Sequence, residues 1–339
     1  ADGTFILTAE KDGIHAENAD DEEKGYIYIA DGDFTITSDG DGMDASNIVQ
    51  IEDGTFDITA GGGAANSQKT HESDMPGGPG GGMPQNGEKP DGENMPQDTT
   101  TDESGISTKG IKAGGSMYLN GGTYQIDSAD DSIHSNANIT IADGTYTLAT
   151  GDDGVHADDA LIVNGGTITV TESYEGMEGL TVTINDGTID ITASDDGINT
   201  AGEKMELNGG YIHILAGGDG VDSNGDLTIN GGEIYIDGPS DNGNSAIDYG
   251  DRSSAYVNGG MLVAIGSSGM AEGMSDSSKQ KVLMVKLGEQ MEAGDVVLTD
   301  SEGNVIVSYT ALKSYDCVII STAEVESGAT YTLTTSGTT

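Results

Sequence analysis

Apolar and polar residues alternate in short stretches along most of the chain. In one representative stretch, residues 145–163, Tyr146 and Leu148 share one face, Val155 stands between polar neighbours, and Leu161 and Val163 share another face. A period of two predicts β-strands, so this stretch predicts three short strands separated by turns. No segment shows the 3.6-residue period of an amphipathic helix.

The three-strand pattern repeats with a constant spacing. The second residue of the Asp-Gly or Gly-Gly turn before each first strand falls at Gly122, Gly144, Gly166, Gly187, Gly210 and Gly232, in steps of 22, 22, 21, 23 and 22. A second motif, acid–Gly–aliphatic–polar, keeps the same spacing, as in residues 153–156 and 219–222. Two motifs with one period predict an all-β fold, a parallel β-helix of about ten stacked coils of about 22 residues, each with three strands.

Two segments interrupt the period. Residues 61–104 are rich in glycine, proline, methionine and acids, which is typical of a long loop or a disordered segment. Residues 281–339 predict ordinary antiparallel strands, with a hairpin turn at residues 301–304, that cover the edge of the last coil. The predicted organisation is therefore 1–60 (first coils), 61–104 (insert), 105–280 (main β-helix) and 281–339 (a small antiparallel C-terminal domain). At the front we expect preceding residues or a partner's strand to cover the first coil.

The net charge of the chain limits the classes of partner that it can bind. The 339 residues carry 59 acids and 12 bases, a formal charge of −47. Such a surface repels phosphates, so nucleic acid and anionic membranes are excluded as partners and divalent cations are favoured. The single cysteine, Cys317, rules out an internal disulfide and is predicted to be a buried apolar residue. No transmembrane run is present in the sequence.

The repeated acidic turns are the candidate metal sites. Equivalent residues of stacked coils lie about 4.8 Å apart, where two carboxylates repel each other. Calcium bridges such oxygens better than magnesium, which requires a stricter octahedral geometry. The predicted calcium ligands are Asp130, Asp131, Asp152, Asp153, Glu175, Glu178, Asp195, Asp196, Asp219 and Asp222.

Two alternatives stay open for these turns. Turn aspartates also accept hydrogen bonds from nearby backbone amides without any metal. His15, His134 and His156 share one position of the repeat and suggest zinc. Because the same position elsewhere holds Glu178, Asn199 or Asp222, a polar outward position is favoured for the histidines.

These motifs together resemble a known family. Residues 143–146 (DGTY), 152–156 (DDGVH) and 161–166 (LIVNGG), with the methionine-, proline- and glycine-rich insert, are similar to secreted carbohydrate-binding right-handed parallel β-helix proteins of clostridia-like bacteria, which share a pectate-lyase-like shape. The resemblance implies a right-handed coil, calcium along the helix, an extracellular or cell-surface location, and binding of cell-wall polysaccharide, including acidic polymers such as polygalacturonate, or cellulose.

Binding is favoured over catalysis. A pectate-lyase-like polysaccharide lyase needs a basic residue to remove a proton, and the one arginine, Arg252, lies beside acids and is better explained as an ion-pair partner. Without tryptophan, sugar stacking requires tyrosines. Tyr211, His213 and Tyr235 are predicted on adjacent coils of one face and form the candidate carbohydrate site. The alternative function is structural, a subunit of a calcium-dependent extracellular filament that self-associates end to end.

Overall fold

The computed structural model of the chain is all-β and describes residues 3–18, 21, 24–69, 107–250 and 252–336. Successive coils of the chain stack in parallel and build three ladders of strands. The predicted parallel β-helix is confirmed. No helix in these ranges is long and apolar enough to cross a membrane.

The first ladder consists of the strands that follow the Asp-Gly or Gly-Gly turn of each coil. In chain order they are β1 (Thr4–Ala9), β4 (Asp33–Ser38), β7 (Thr55–Ala60), β10 (Thr123–Ser128), β13 (Thr145–Thr150), β15 (Thr167–Glu172), β17 (Thr188–Ala193), β19 (Tyr211–Ala216), β22 (Glu233–Asp237) and β25 (Met261–Gly266). Each pairs in parallel with the next.

The second ladder follows the acid–Gly–aliphatic–polar motif. It consists of β2 (Ile14–Ala16), β5 (Met43–Ala45), β8 (Ile111–Ala113), β11 (Ile133–Ser135), β14 (Val155–Val163), β16 (Met177–Ile184), β18 (Ile198–Leu207), β20 (Val221–Ser223) and β23 (Ile247–Tyr249). The third ladder consists of β3 (Ile27–Ile29), β6 (Val49–Ile51), β9 (Met117–Leu119), β12 (Ile139–Ile141), the second halves of β14, β16 and β18, and then β21 (Asp226–Ile229) and β24 (Ala255–Val257).

The core is a continuous column of apolar side chains inside the coils. The predicted inward pairs of the first and third strands, such as Tyr146 with Leu148 and Leu161 with Val163, are fully buried. Aromatic rings stack along one corner in the order Phe5, Phe34, Phe56, Tyr124 and Tyr146, with neighbouring centroids 4.6–5.1 Å apart. Offset stacking adds to the energy of burial at each step.

The glycine of the acid–Gly motif is required by the spacing between coils. A Cβ added at Gly197 would lie 2.5 Å from the carbonyl oxygen of Gly220 in the next coil and 2.2 Å from Cγ2 of Ile214. The same clash with the next coil recurs at Gly154 and Gly176. Because neither contact leaves room for a side chain, the repeat keeps glycine here for lack of space.

A row of asparagine side chains runs along the outside of the corner that precedes the first strand of each coil. The amides of Asn164, Asn185, Asn208, Asn230 and Asn258 form a chain of hydrogen bonds of 2.8–2.9 Å from coil to coil. Each link satisfies a donor and an acceptor at once, which explains why asparagine recurs at this corner.

The predicted insert begins directly after β7. Residues 61–69 are described and include a short 3-10 helix at Ala64–Asn66, whose first amide donates to Asp127 Oδ1 at 2.7 Å. The rest of the insert, from residue 70 to residue 104, lies outside the described residues.

The C-terminal strands pair antiparallel, as predicted, and belong to two sheets. β26 (Val282–Met291) and β29 (Tyr315–Ser321) extend the sheet of the first ladder, and β27 (Gly294–Thr299), β28 (Val305–Ala311) and β30 (Thr332–Thr335) form a separate small sheet. β29 pairs antiparallel with β25 and with β26, so it covers the edge of the last coil. Cys317 on β29 is buried, and burial raises the pKa of its thiol to about 11, in line with an inert apolar residue.

Candidate metal and carbohydrate sites

Two columns of polar side chains run side by side along the second ladder. The strand column contains the middle residue of each strand, and parallel pairing puts these residues in register: His15, Asp44, Lys112, His134, His156, Glu178, Asn199, Asp222 and Asp248. The turn column contains the residue three positions earlier in each coil: Asp12, Asp41, Lys109, Asp131, Asp153, Glu175, Asp196, Asp219 and Ser245.

The aspartates of the turn column hold neighbouring coils together. Oδ1 of Asp131 accepts the backbone N–H of Asp153 at 3.1 Å, and Oδ1 of Asp196 accepts that of Asp219 at 2.6 Å. Asp12 does the same for Asp41 at 3.0 Å. The alternative role of the turn acids, as acceptors for backbone amides, therefore applies to one oxygen of each of these carboxylates. The second oxygen is left for other partners.

In the middle of the molecule two lysines occupy the acidic turns. Lys109 Nζ donates to Asp131 Oδ2 and, at 3.0 Å, to Asp130 Oδ1. Lys69, on the described part of the insert, donates to Asp130 at 2.8 Å and to Asp152. Both lysine side chains are less than one-tenth exposed, at 4 % and 9 %.

The pKa shifts show that the buried ammonium groups and carboxylates stabilise each other's charged forms. Burial lowers the pKa of a lysine, but Asp131 and the acids beside it raise the pKa of Lys69 and of Lys109 above the ordinary value. Burial alone raises the pKa of a carboxyl, but Lys109 and His134 hold that of Asp131 well below its usual range. Asp131 is thus ionised and charge-paired by side chains of the chain itself.

Further along the column the surroundings of the acids are negative. Carboxylate oxygens of Asp196, Asp219 and Asp222 lie within 4.8 Å of one another. Burial and the charges of Asp195, Asp219 and Asp222 raise the pKa of Asp196 to about 8. Burial, with the charges of Asp222 and Asp248, raises that of Asp219 to about 7 despite its hydrogen bond to the amide of Ser245. Three carboxylates at this spacing repel each other, and either protonation or a bound cation relieves such repulsion.

The predicted calcium ligands therefore fall into separate groups. Asp130, Asp131 and Asp152 form one group with the lysines, Asp153 and Glu178 surround His156, and Asp196, Asp219 and Asp222 form the third. Asp195 precedes Asp196 in its turn, and Glu175 Oε2 accepts a hydrogen bond from Asn199 at 3.0 Å.

The predicted carbohydrate residues do lie together. Tyr211 and Tyr235 occupy adjacent coils, with ring centroids 5.6 Å apart, and Tyr211 is 41 % exposed. The sequence alone did not identify Tyr309 of β28, whose ring stacks on Tyr235 at 5.1 Å and whose hydroxyl lies 3.2 Å from His213 Nε2. His213 and Tyr235 are half-buried at this junction, so Tyr211 is the most accessible of the predicted residues.

The contacts of Lys69 and Tyr309 could not be predicted from the sequence, for the same reason in both cases. Both reach the site from segments outside the repeat, and no periodic signal marks such contacts. Lys109 was identifiable, since Lys109-Gly110-Ile111-Lys112 matches the acid–Gly–aliphatic–polar motif with lysines in both polar positions.

Stacked coils with a parallel register and acidic columns define a β-solenoid repeat protein. Comparison with protein families identifies it further: the chain belongs to the family of carbohydrate-binding domain-containing proteins, whose sequence model matches residues 1–154 and again residues 152–334. No curated protein and no solved structure matches the chain. Membership of this family supports carbohydrate binding and suggests a non-catalytic protein.

Proposed function

We propose that the chain is an extracellular, calcium-stabilised protein that binds cell-wall polysaccharide without cleaving it. Family membership supports the glycan as partner. The observation that carries the calcium part is the group formed by Asp196, Asp219 and Asp222, whose oxygens converge within 4.8 Å. Burial and the neighbouring carboxylates raise the pKa of Asp196 and of Asp219.

The chemistry of this group fits calcium. Calcium takes six to eight oxygen ligands at roughly 2.3–2.6 Å in flexible geometry, and carboxylates are its preferred protein ligands. The other candidate group, Asp130 with Asp131 and Asp152, already holds two ammonium groups, which oppose the approach of a metal ion. We therefore place calcium in the coils from β18 to β20 and leave the lysine-filled turns free of metal.

Calcium also reconciles a chain of charge −47 with an acidic glycan. Three aspartates do not fill the coordination sphere of calcium, and the remaining positions suit water or the carboxylate of a uronic acid. A bridge of this kind makes binding of polygalacturonate dependent on calcium. Binding of a neutral polymer such as cellulose would instead depend on stacking against Tyr211.

The calcium part is tested by thermal unfolding of the full chain. We expect calcium at about a hundredfold its Kd to raise the Tm by roughly 3–8 °C, and a chelator to reverse the shift. The double variant Asp219→Asn with Asp222→Asn should lose the shift. Asp44→Asn, in the same strand column but 3.9 Å from Lys112, is the matched control and should keep it. A Tm that calcium does not change would refute the calcium site.

The glycan part is tested by co-sedimentation with insoluble cellulose and by affinity electrophoresis in polygalacturonate. Tyr211→Ala should weaken binding at least about tenfold, because a stacked aromatic ring contributes about 1.5 kcal/mol. Tyr118→Ala removes a similarly exposed tyrosine, 39 %, from the third ladder and should leave binding unchanged. The opposite result for the two variants would move the site to the third ladder. Binding of polygalacturonate that persists in chelator would exclude the calcium bridge.

Two other functions remain as predictions with direct tests. A lyase would release unsaturated, ultraviolet-absorbing products from polygalacturonate, and we expect none. A filament subunit would form calcium-dependent fibres under negative-stain electron microscopy, whereas a binder would give separate rods.

A further inference from the structure

A straight row of exposed threonines leads along the first ladder to the candidate carbohydrate site. Parallel pairing puts the first residues of successive first-ladder strands in register, and Tyr211 on β19 is one of these residues. From the front of the solenoid toward the C-terminal strands, the row consists of Thr55, Thr123, Thr145, Thr167, Thr188 and Tyr211. All of these residues are exposed. Tyr211 is therefore the aromatic end of an ordered polar row.

A second row runs beside the first, two residues further along each strand. On β10, β13 and β15 it contains Gln125, Thr147 and Thr169. Residues two positions apart on a strand lie on the same face, about 7 Å from each other, and neighbouring coils are about 4.8 Å apart. The two rows carry no charge on these three strands, although the chain has a formal charge of −47. This part of the first ladder is therefore a regular, uncharged polar surface on a strongly acidic protein.

The threonine hydroxyls of the first row are available to a ligand. Within the described part of the chain, none of the hydroxyls of Thr123, Thr145, Thr167 and Thr188 makes a hydrogen bond to another residue. A β-branched side chain has a restricted χ1 angle, so the hydroxyl and the methyl group of each threonine keep nearly fixed directions. A sugar ring offers hydroxyl groups at its edge and C–H groups on its faces. Both groups of a threonine therefore have a partner on a sugar.

The C-terminal strands close this surface at one end. Beyond Tyr211 the next residue of the first row is Glu233, and the ring of Tyr235 in the second row is stacked on that of Tyr309. Asp190, the residue before His213 in the second row, lies 2.8 Å from His213 Nδ1. A ligand stacked on Tyr211 therefore has the threonine rows as its open direction, toward β10.

We propose that an uncharged, extended β-1,4-linked hexose polymer lies along the solenoid axis on these two rows, with one sugar stacked on Tyr211 and about one sugar per coil beyond it. The inference rests on the proposed carbohydrate binding and adds the direction, the register and the class of the glycan. The spacing of the coils is close to the length that one hexose adds to such a polymer. Because this spacing is constant, successive sugars meet equivalent pairs of side chains. A polymer of uronic acids does not suit these rows, since β10, β13 and β15 offer it neither a cation nor the carboxylates that would hold calcium.

Cello-oligosaccharides of two to six sugars are the probes, titrated into the full chain by calorimetry. We expect the Kd to fall with each added sugar up to about five, one for each coil from Thr123 to Tyr211, by roughly two- to tenfold per sugar, the effect of about one hydrogen bond. Tyr211→Ala should weaken binding at every length. An affinity that stops rising at two sugars, while Tyr211→Ala still weakens it, would overturn the axial arrangement and leave the Tyr211 site standing. Absence of binding at every length and to insoluble cellulose would instead refute the neutral-glycan part of the proposed function, and this inference with it.

Variants of the rows test their contact with the polymer. Thr145→Glu and Thr167→Glu should each weaken cellohexaose at least about tenfold, because a carboxylate under the sugar is left without a partner. Both should leave cellobiose unchanged, since two sugars reach only from Tyr211 to Thr188. Thr183→Glu puts the same charge on the third ladder of the coil that contains Thr167, and this matched control should bind cellohexaose like the native chain.

Thermal unfolding checks that each variant folds. Native affinity for cellohexaose in both row variants, or an equal loss in Thr183→Glu, would overturn the axial arrangement. Oligogalacturonates in chelator should not displace cellohexaose from the native chain. Displacement would overturn the assignment of these rows to an uncharged polymer.

Discussion

Asp196 accepts the backbone N–H of Asp219 through Oδ1 at 2.6 Å, and Asp219 in turn accepts that of Ser245 in the following coil. The link replaces a water-exposed amide with a satisfied one in every coil that carries an aspartate in the turn. It also brings the carboxylates into a column, where their charges repel. Cohesion between coils and repulsion between charges thus come from the same side chains.

Replacing an aspartate of the turn column by asparagine is expected to change stability in opposite directions near Asp219 and near Asp131. Asp219→Asn keeps the acceptor for Ser245 and removes repulsion, so it should raise the Tm of the calcium-free protein. Asp131→Asn leaves Lys109 as a buried charge that has lost its closest anion, so it should destabilise by about 3–5 kcal/mol. Calorimetry in chelator measures both. Equal destabilisation by the two substitutions would contradict the division of the column into a paired and a repulsive part.

The spacing argument for the motif glycine predicts a steric penalty. Gly197→Ala should lower stability by at least about 1–3 kcal/mol, because the new methyl group meets the carbonyl of Gly220 and the side chain of Ile214. Gly273→Ala is the control, since its Cβ would meet nothing closer than 3.8 Å. Chemical denaturation of the two variants gives the comparison, and a Gly197→Ala variant as stable as Gly273→Ala would rule out close coil contact.

The contacts of Tyr146 in the aromatic corner predict that two substitutions there lower stability to different extents. This residue is fully buried, stacks on Tyr124 at 4.6 Å, and donates from its hydroxyl to the carbonyl of Asp143 at 2.9 Å. Tyr146→Phe should cost about 0.5–1.5 kcal/mol for the lost hydrogen bond. Tyr146→Ala should cost about 3–5 kcal/mol for the cavity. Limited proteolysis and urea unfolding measure the stabilities of the two variants. A Tyr146→Phe variant as unstable as Tyr146→Ala would contradict the prediction.

His213 predicts a pH dependence at the junction with the C-terminal sheet. Hydrogen bonds to Asp237 and Asp190 raise its pKa above the ordinary 6.5, although burial acts in the opposite direction. A raised pKa in the folded state contributes stability that is fully present below pH 6.5 and is lost as pH rises through the folded-state value. The Tm advantage of the native chain over His213→Gln should therefore shrink between pH 6 and a strongly alkaline pH. A constant difference across that range would mean that protonation of His213 does not hold the junction.

Much of the solenoid was predictable because its signals repeat. Leu161 and Val163 face inward in the sequence pattern and in the structure, since period-two alternation in a stacked coil leaves one face for the core. The turn at residues 301–304 was equally local: Gly303 takes a positive φ of 88°, and Asp300 accepts the amides of Glu302 and Asn304.

The details of the sites were less predictable because they depend on contacts far apart in the chain. Lys69 meets Asp152 across 83 positions, and Tyr309 meets Asp237 across 72. Neither pair has a spacing that the repeat could reveal. The sequence therefore predicted a column of acids, but not that ammonium groups neutralise its centre and leave the coils around Asp196 and Asp219 negative.

Successive windings pair in parallel along the first ladder, the windings from Asn164 to Asn258 share the same asparagine hydrogen bonds, and the family model fits the chain twice in succession. An extra winding copied into this interior region meets similar neighbours above and below, while the antiparallel strand that closes the far end is undisturbed. Gene duplication can thus lengthen such a rod in whole steps, and each step carries its own set of turn carboxylates to be kept, neutralised by lysine or recruited to a new ion.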